Sequence, residues 1–354
     1  MDERLALCWL GSQKDWTLDQ KYRIMREHGT AKAVYDAFLE GCFFGIKKDP
    51  SDCWPDRFLE DLQKHGVSMM TIMDDDYPMH LSQIPQAPLF LLYKGTYDEE
   101  DFDETFAVVG ARKASLSARK NTRRIVGDLA YAGLNIVSGM ALGIDAQAHQ
   151  AALDVGGKTT AVMGCGLDHC YPKENRRILD AILDEGGTVF SEFDFGTPPL
   201  PRNFPQRNRI ISGLSMGVLV AEAEKKSGSL ITAKHAMEQG REVYAFPGDL
   251  QRSNTLGSNL LLRDGAKMVL EANDILEDMA PMFFIPEKLD VFESKALAKE
   301  EKSICDAIRS GVDTVDSLID STEISISDLF FHLTNLELKG IITGSAGRYT
   351  MMAP

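Results

Sequence analysis

Residues 106–145 read FAVVGARKASLSARKNTRRIVGDLAYAGLNIVSGMALGID. An apolar run closes at Gly110, a helical stretch follows to residue 131, and a second apolar run closes at Ser138-Gly139. Strand, helix and strand joined by short turns form the unit from which parallel sheets are built. The pattern continues downstream. Candidate strands fall at 159–164, 188–192, 217–221, 242–246 and 268–270. Candidate helices fall between them at 144–153, 174–183, 206–212, 230–239 and 259–264. These strands are short continuous apolar runs, which implies a sheet covered by helices on both faces. Right-handed crossovers then predict an α/β fold with an extended Rossmann-like, doubly wound, mostly parallel sheet.

Upstream, Leu18, Tyr22 and Met25, then Val34 and Phe38, have helical spacing. Residues 67–73 and 89–93 look like strands, separated by Pro78, Pro85 and Pro88. The expected organisation is a small N-terminal helical domain over 1–75, a Rossmann-like domain over 76–280 and a linker over 281–298. Residues 299–354 then show three helical stretches (300–309, 315–318, 326–338) and a short hairpin about a turn at 344–347. Three helices followed by a hairpin predict a C-terminal winged-helix module.

The chain of 354 residues carries 38 Lys and Arg against 53 Asp and Glu, a net charge of −15. That balance excludes a general polyanion binder, so any nucleic-acid contact must come from a local basic patch. Residues 101–280 are the least acidic zone, with 20 basic and 23 acidic side chains. No apolar run reaches the roughly 18 residues of a membrane helix. The start MDERLALCWL is acidic, with an apolar run of only six residues, unlike a secretory signal. Six scattered cysteines without a CxxC pair or zinc-ligand spacing suit a reducing cytoplasm.

Ligands of open parallel sheets bind beyond the carboxyl ends of the strands, where helix N-termini favour phosphate. Glycines stand at several such ends: Gly110, Gly139, Gly164, Gly166 and Gly248, with Ser227-Gly228-Ser229 before another helix. Glycine lets backbone approach a ligand closely. From Arg112 to Arg124 there are six cations and no acid. A second basic cluster, Arg202, Arg207 and Arg209, sits in PRNFPQRNRIISG with Phe204. Lys173 is a third candidate. Arginine offers a planar fork for phosphate, and an aromatic ring can stack on a base. Phe204 is read either as such a stacking ring or as core. Asp145 and His149 stand one helical turn apart and admit two readings, an acid/base or metal pair, or a cap and a packed ring. Gly164-Cys165-Gly166 begins a dinucleotide fingerprint, but His169 replaces its third glycine. No G-x-S-x-G, H-E-x-x-H or P-loop string occurs. Neither cofactor nor metal is expected, and no catalytic centre.

Several of these strings carry a resemblance. Ser138-Gly139-Met140-Ala141-Leu142-Gly143-Ile144-Asp145 with His149, and Gly164-Cys165-Gly166-Leu167-Asp168 with Tyr171-Pro172-Lys173-Glu174-Asn175, resemble signatures of the DNA processing protein A (DprA/Smf) family. So do the run at 196–215, which contains Arg202-Asn203-Phe204-Pro205-Gln206-Arg207-Asn208-Arg209, and Lys226-Ser227-Gly228-Ser229. The resemblance covers roughly residues 73–279. It implies a non-enzymatic protein that binds single-stranded DNA, protects incoming strands in natural transformation, loads RecA recombinase and forms a homodimer. Carried over by position, Gly110 with Arg112, Ser138 with Gly139, and Lys173 with Asn175 match the family's DNA-pocket loops. Asn203, Arg207, Asn208 and Arg209 match its most recognisable string.

The chain departs from the family pattern in three places. Leu142 stands where the family has arginine, and Leu116-Ser117-Ala118 replaces a usual Tyr-Gly region. Gly11-Ser12-Gln13-Lys14-Asp15 lacks the second glycine of the N-terminal hairpin. Near the C-terminus, the helix at 327–339 carries Asp328 and Glu337 against one cation, which suits protein docking better than a DNA groove. The alternative function is a nucleotide-processing hydrolase related to lysine-decarboxylase-like phosphoribohydrolases, with Glu222 and Glu224 as acids. A purely structural scaffold is the third class.

Overall fold

Strands β3 (Thr105–Val109), β4 (Asn135–Ser138), β5 (Thr159–Met163), β6 (Thr188–Ser191) and β7 (Gly217–Val220) are buried at every residue. Such strands must lie between two apolar layers. The computed structural model describes residues 1–42, 54–279, 299–322, 324–338, 341–345 and 348–351. The expected linker at 281–298, Lys339 and residues 346–347 of the hairpin turn lie outside them.

The first unit of the chain, Met1–Phe284, holds the large sheet. It opens with helices α1 (Glu3–Ser12), α2 (Leu18–His28), α3 (Ala31–Leu39) and α4 (Trp54–His65). Strand β1 (Ser68–Thr71), short helix α5 (Met79–Ser82) and strand β2 (Phe90–Gly95) lead into β3. Helices then alternate with the strands: α6 (Leu116–Tyr131), α7 (Ile144–Leu153), α8 (Arg176–Asp184), α9 (Asn203–Leu214) and α10 (Ser229–Glu238). Strand β8 (Glu242–Ala245), α11 (Leu256–Arg263), β9 (Lys267–Met268) and α12 (Asn273–Met279) complete it. Each predicted strand is present, with its ends shifted by two residues or fewer.

The nine strands run β1-β2-β6-β5-β4-β3-β7-β8-β9. From β6 to β9 all neighbours are parallel, with Ala107 opposite Val137 on one side and Val218 on the other. Strand β2 pairs antiparallel with β6, and β1 antiparallel with β2. After β3 the chain first builds the sheet toward β4 and later returns to place β7 on the other side. That reversal opens a crevice at the carboxyl end of β3.

One sheet face packs Leu91, Ala107, Val137 and Val162 against Leu81 of α5 and Ile210, Ile211 and Leu214 of α9. The other brings Phe90, Leu92, Ala161 and Met163 into one core with Leu7, Trp9, Phe38 and Phe58 of the N-terminal helices. Gly11 lets α1 sit directly on the sheet, since a Cβ there would lie 2.4 Å from the Phe90 ring. This corrects the division drawn at residue 75: β1 is part of the sheet, and the helices before it share the sheet's core.

Helix α9 begins three residues before its predicted start, because Pro205 occupies the third position of the helix. The first N–H groups of a helix have no intrahelical acceptor, so a proline ring is tolerated there. Among the described residues no helix is long and apolar enough to cross a membrane.

The second unit, Ile285–Pro354, contains α13 (Lys299–Arg309), α14 (Val315–Thr322) and α15 (Ile326–Leu338). Strands β10 (Ile342–Ser345) and β11 (Arg348–Met351) follow as an antiparallel pair. Ile304, Leu318, Leu329, Leu333 and Ile342 form its core.

The shared core of the first unit has a measurable consequence. Phe90→Ala is expected to destabilise it by about 3–5 kcal/mol. In denaturant, Trp9 fluorescence and far-ultraviolet ellipticity should shift together in one transition. Separate midpoints would show that the N-terminal helices fold apart from the sheet.

Candidate nucleic-acid interface

At the carboxyl end of β3 the chain turns through Gly110-Ala111-Arg112. Ala111 N–H donates to Glu222 O at 2.7 Å and Ala111 O accepts from Ile144 N–H at 3.2 Å, so the loop is held from β7 and α7. Ser115 caps α6 by accepting from Ala118 N–H. Glu222, 1% exposed, accepts from Ser115 N–H at 3.0 Å and from its hydroxyl at 2.6 Å. Both of its oxygens are thus engaged in holding the start of α6.

Arg207 of α9 is 3% exposed and donates to Gly139 O at 2.8 Å and to Val162 O. It ties the ends of β4 and β5 to α9. Burial pushes its pKa down to about 10, partly offset by Asp145, so the guanidinium stays charged at neutral pH. Asp145 is itself buried and accepts from Ala141 N–H at 3.3 Å; desolvation raises its pKa against the pull of Arg207. His149 is fully buried, with Nδ1 2.7 Å from the Thr159 hydroxyl. His149 therefore takes the packed reading, whereas the cap expected of Asp145 is not made: Gly143 is the N-cap of α7 and no side chain caps it. Among the described residues no group of His, Cys, Asp and Glu is arranged to hold a metal ion.

The strand-end glycines serve the fold in a way the sequence did not reveal. A Cβ at Gly110 would meet Ile144 at 2.6 Å, and one at Gly139 would meet Arg207 at 2.5 Å and Asp145 at 2.8 Å. A Cβ at Gly164 would meet the Phe204 ring at 2.8 Å, and one at Gly166 would meet Asp168 at 2.4 Å. At these four positions protein side chains fill the space a Cβ would take, and Gly110 still lines the cleft described below. Gly228 is different, exposed and with nothing within 4 Å of its Cβ position.

Several other predicted polar residues are also internal struts. The Ser138 hydroxyl donates to Val108 O at 2.6 Å, and the Asn175 amide to Met140 O at 2.7 Å and Ala141 O at 3.1 Å. The Asn203 amide donates to Gly164 O at 3.1 Å and Pro198 O at 3.2 Å. Arg209 is 3% exposed and forms a 2.5 Å ion pair with Glu192, so its charge is spent inside the protein. Ser138, Asn175, Asn203 and Arg209 thus brace the loops from within through these bonds, while Arg209 Nη1 has no partner among the described residues.

A cleft of about 420 Å³ remains at the crevice. Arg112, Gly110, Phe204, Arg207 and Asn208 line it, together with Ser227, Gly228 and Ser229. Arg112 is exposed and its Cζ lies 5.5 Å from the centre of the Phe204 ring. The Tyr171 ring, 39% exposed, lies 5.6 Å from Phe204. A guanidinium and two rings thus share one wall, a combination suited to phosphate and base. Phe204 packs over Gly164 and its ring still lines the cleft. The hydroxyls of Ser227 and Ser229 stand 2.7 Å apart on the facing turn. Lys173 is exposed on the turn Lys173–Asn175, outside the cleft wall. Arg202 is exposed on a different cleft. Tyr171 is a lining residue not singled out from the sequence, although it stands in the string Tyr171–Asn175 that carried the resemblance.

A family model described as DNA recombination-mediator protein A matches residues 68–280, which run from β1 to just past α12. The chain belongs to this family. It is 48% identical over 208 residues to the DNA processing protein DprA of Streptococcus pneumoniae, covering 59% of this chain and 73% of that protein. It is 40% identical over 257 residues to the protein Smf of Escherichia coli, covering 70% and 67%. A solved structure of the S. pneumoniae protein is similar with a TM-score of 0.57 and 41% identity, over 66% of this chain and 83% of that one. The DNA processing protein A of Helicobacter pylori, whose structure was solved for its single-stranded DNA binding mode, gives a TM-score of 0.55 and 27% identity over 62% and 97%. The family match takes in the whole sheet, β1 included.

Two predictions follow from the packing around the cleft. Gly139→Ala drives a methyl into Arg207 and Asp145 and is expected to destabilise by about 1–3 kcal/mol. Gly228→Ala should stay within about 0.5 kcal/mol of the parent, and urea titration compares the two. His149 supplies the second. Burial and Arg207 push its pKa down to about 3, whereas unfolded histidine titrates near 6.5. The unfolded chain therefore takes the proton first as pH falls. Stability should drop by about 1.4 kcal/mol per unit between about pH 6.5 and 3. His149→Gln is expected to flatten that part of the profile in pH-dependent urea melts.

Proposed function

We propose that this chain is a single-stranded DNA-binding recombination mediator. The observation that carries the reading is the exposed Arg112 guanidinium set against Phe204 and Tyr171, at the rim of the crevice beside β3. Arg112 holds a backbone phosphate, the rings offer stacking faces, and Ser227 and Ser229 offer hydroxyl donors across the cleft. Lys173 and Arg202 meet neighbouring phosphates from outside the cleft. Arg207 and Asn208 shape its floor. The H. pylori relative's single-stranded DNA binding supports the choice of ligand.

The reading extends to protection of incoming strands in natural transformation, to loading of RecA recombinase and to a homodimer. An acidic exterior, net −15, repels bulk duplex and leaves the cleft to compete for flexible single strands. The C-terminal unit is read as a winged helix, with Thr314 bridging Arg348 beside the hairpin. Helix α15 carries Asp328 and Glu337, which favours a protein partner over a DNA groove.

Fluorescent oligo-dT titrated at several salt concentrations tests the reading. Each neutralised phosphate should contribute about −0.7 to the log–log slope. Arg112→Ala is expected to weaken binding about tenfold, to make the slope shallower by about 0.7, and to leave the melting temperature unchanged. Affinity that ignores both salt and Arg112 would sink the proposal. Sedimentation of the full chain with and without oligonucleotide checks the homodimer, and RecA filament nucleation on oligo-dT checks the loading role.

A further inference from the structure

Six cations stand from Arg112 to Arg124 with no acid among them, and the cleft uses only the first. The other five lie on α6 or on the turn that leads into it. Helical spacing decides which of them gather. Residues 120, 121 and 124 follow residue 117 by three, four and seven positions, so the four share one face of α6. They are Ser117, Lys120, Asn121 and Arg124, and all are exposed. The next position on that face is Asp128, where the acid-free stretch ends. Hydroxyl, ammonium, amide and guanidinium groups are the side-chain donors that meet phosphate and sugar oxygens.

Exposed cations on other helices are balanced one turn away. Arg176 of α8 pairs with Asp180 at 2.8 Å, and Lys234 of α10 with Glu238 at 3.6 Å. Lys120 has no such neighbour: three and four positions to either side stand Leu116, Ser117, Arg123 and Arg124. Two of the six cations are drawn aside. Arg123 pairs with Asp154 at 2.6 Å, and Arg119 donates to Ala114 O at 3.3 Å. Arg124 donates to Leu270 O at 2.8 Å through Nη2 and keeps further N–H groups. Lys113 and Lys120 are exposed, and no carboxylate among the described residues pairs with either. Like charges one turn apart weaken a helix. On a chain of net −15, such an unbalanced face is therefore suited to an anion from outside.

The face is joined to the cleft. Glu222 holds the Ser115 cap through its N–H and its hydroxyl, and Ala111 N–H donates to Glu222 O. The start of α6 is thus fixed beside Arg112 at the cleft rim. Its 16 residues then run for about 24 Å. Lys120 and Arg124 succeed one another by about 6 Å along that axis.

We propose that single-stranded DNA longer than the cleft leaves it past Arg112 and continues along the exposed face of α6, its phosphates meeting Lys113, Lys120 and Arg124, with Ser117 and Asn121 as further donors. The inference rests on the single-strand reading above and gives that site its extent and its direction. The contacts are to backbone alone, so this part of the path is indifferent to base sequence.

The test titrates the full chain with fluorescent oligo-dT of about four and about twelve nucleotides at several salt concentrations. The readout is the ratio of the two affinities. The double variant Lys113→Ala, Lys120→Ala should lower the preference for the longer strand about tenfold. It should also make the longer strand's log–log salt slope shallower by about 1.4, for two phosphates released. Lys32→Ala with Lys64→Ala removes the same charge from exposed sites on α3 and α4 and should leave the ratio unchanged. An unchanged ratio in the α6 variant, with both lengths still bound, would overturn the path and leave the single-strand reading intact. Equal weakening of both lengths, or an equal fall in the ratio with the α3 and α4 variant, would also overturn it, by reducing the lysines to general attraction. Failure of the parent chain to bind either length would overturn both readings.

Discussion

The cleft depends on one buried guanidinium. Arg207 reaches from α9 to the carbonyls of Gly139 and Val162, the ends of two adjacent parallel strands. Hydrogen bonds from a charged donor are worth about 1.5–3 kcal/mol each, and a buried carbonyl left without one pays a desolvation penalty. The bond to Gly139 requires that residue 139 have no Cβ, since an added methyl would overlap Arg207 and Asp145. With α9 held there, Phe204 falls over Gly164, and its ring comes to rest beside Arg112 and Tyr171. A structural contact in the interior thereby sets the spacing of the exposed wall.

The three arginines of the string at 202–209 divide the labour. Arg202 is exposed, Arg207 braces strand ends, and Arg209 is neutralised by Glu192. Only side chains that remain in contact with solvent can exchange counterions with phosphate, so the cationic character of the site is carried by fewer residues than the string contains. On a chain of net −15, that restriction confines attraction to a small area of the surface. The same string separates two clefts. Pro198, Leu200 and Arg202 line one cleft and Pro199 and Pro201 the other, and the chain turns at 201–202 into α9 at Asn203.

Much of the fold was legible because burial on both faces leaves a plain record. Runs such as 106–110 and 217–221 contain no polar interruption, and the helices between them have the length of crossover connections. Gly110 and Arg112 were correctly placed at the end of β3, beside the crevice. The separate N-terminal domain was not correct, because apolar residues in α1 and α4 look the same whether they pack on one another or on Phe90. Helix α9 started early because a proline reads as a breaker unless its position within the helix is known. Tyr171 escaped notice because its neighbour on the cleft wall, Phe204, is 33 residues away in the chain.

The amino-acid sequence by itself determined the order of strands and helices along the chain, the family and the rim on which the glycine- and arginine-bearing strings gather. Each of these depends on local periodicity or on contiguous strings. Tertiary structure alone decided what each polar or small residue does there. A glycine that admits a ligand and a glycine that admits a neighbouring side chain are identical along the chain. So are an arginine left in water and one sealed against a carboxylate. Only the packing of α9 and α7 against the strand ends distinguishes them, because the cost of desolvating a charge depends on what surrounds it in space.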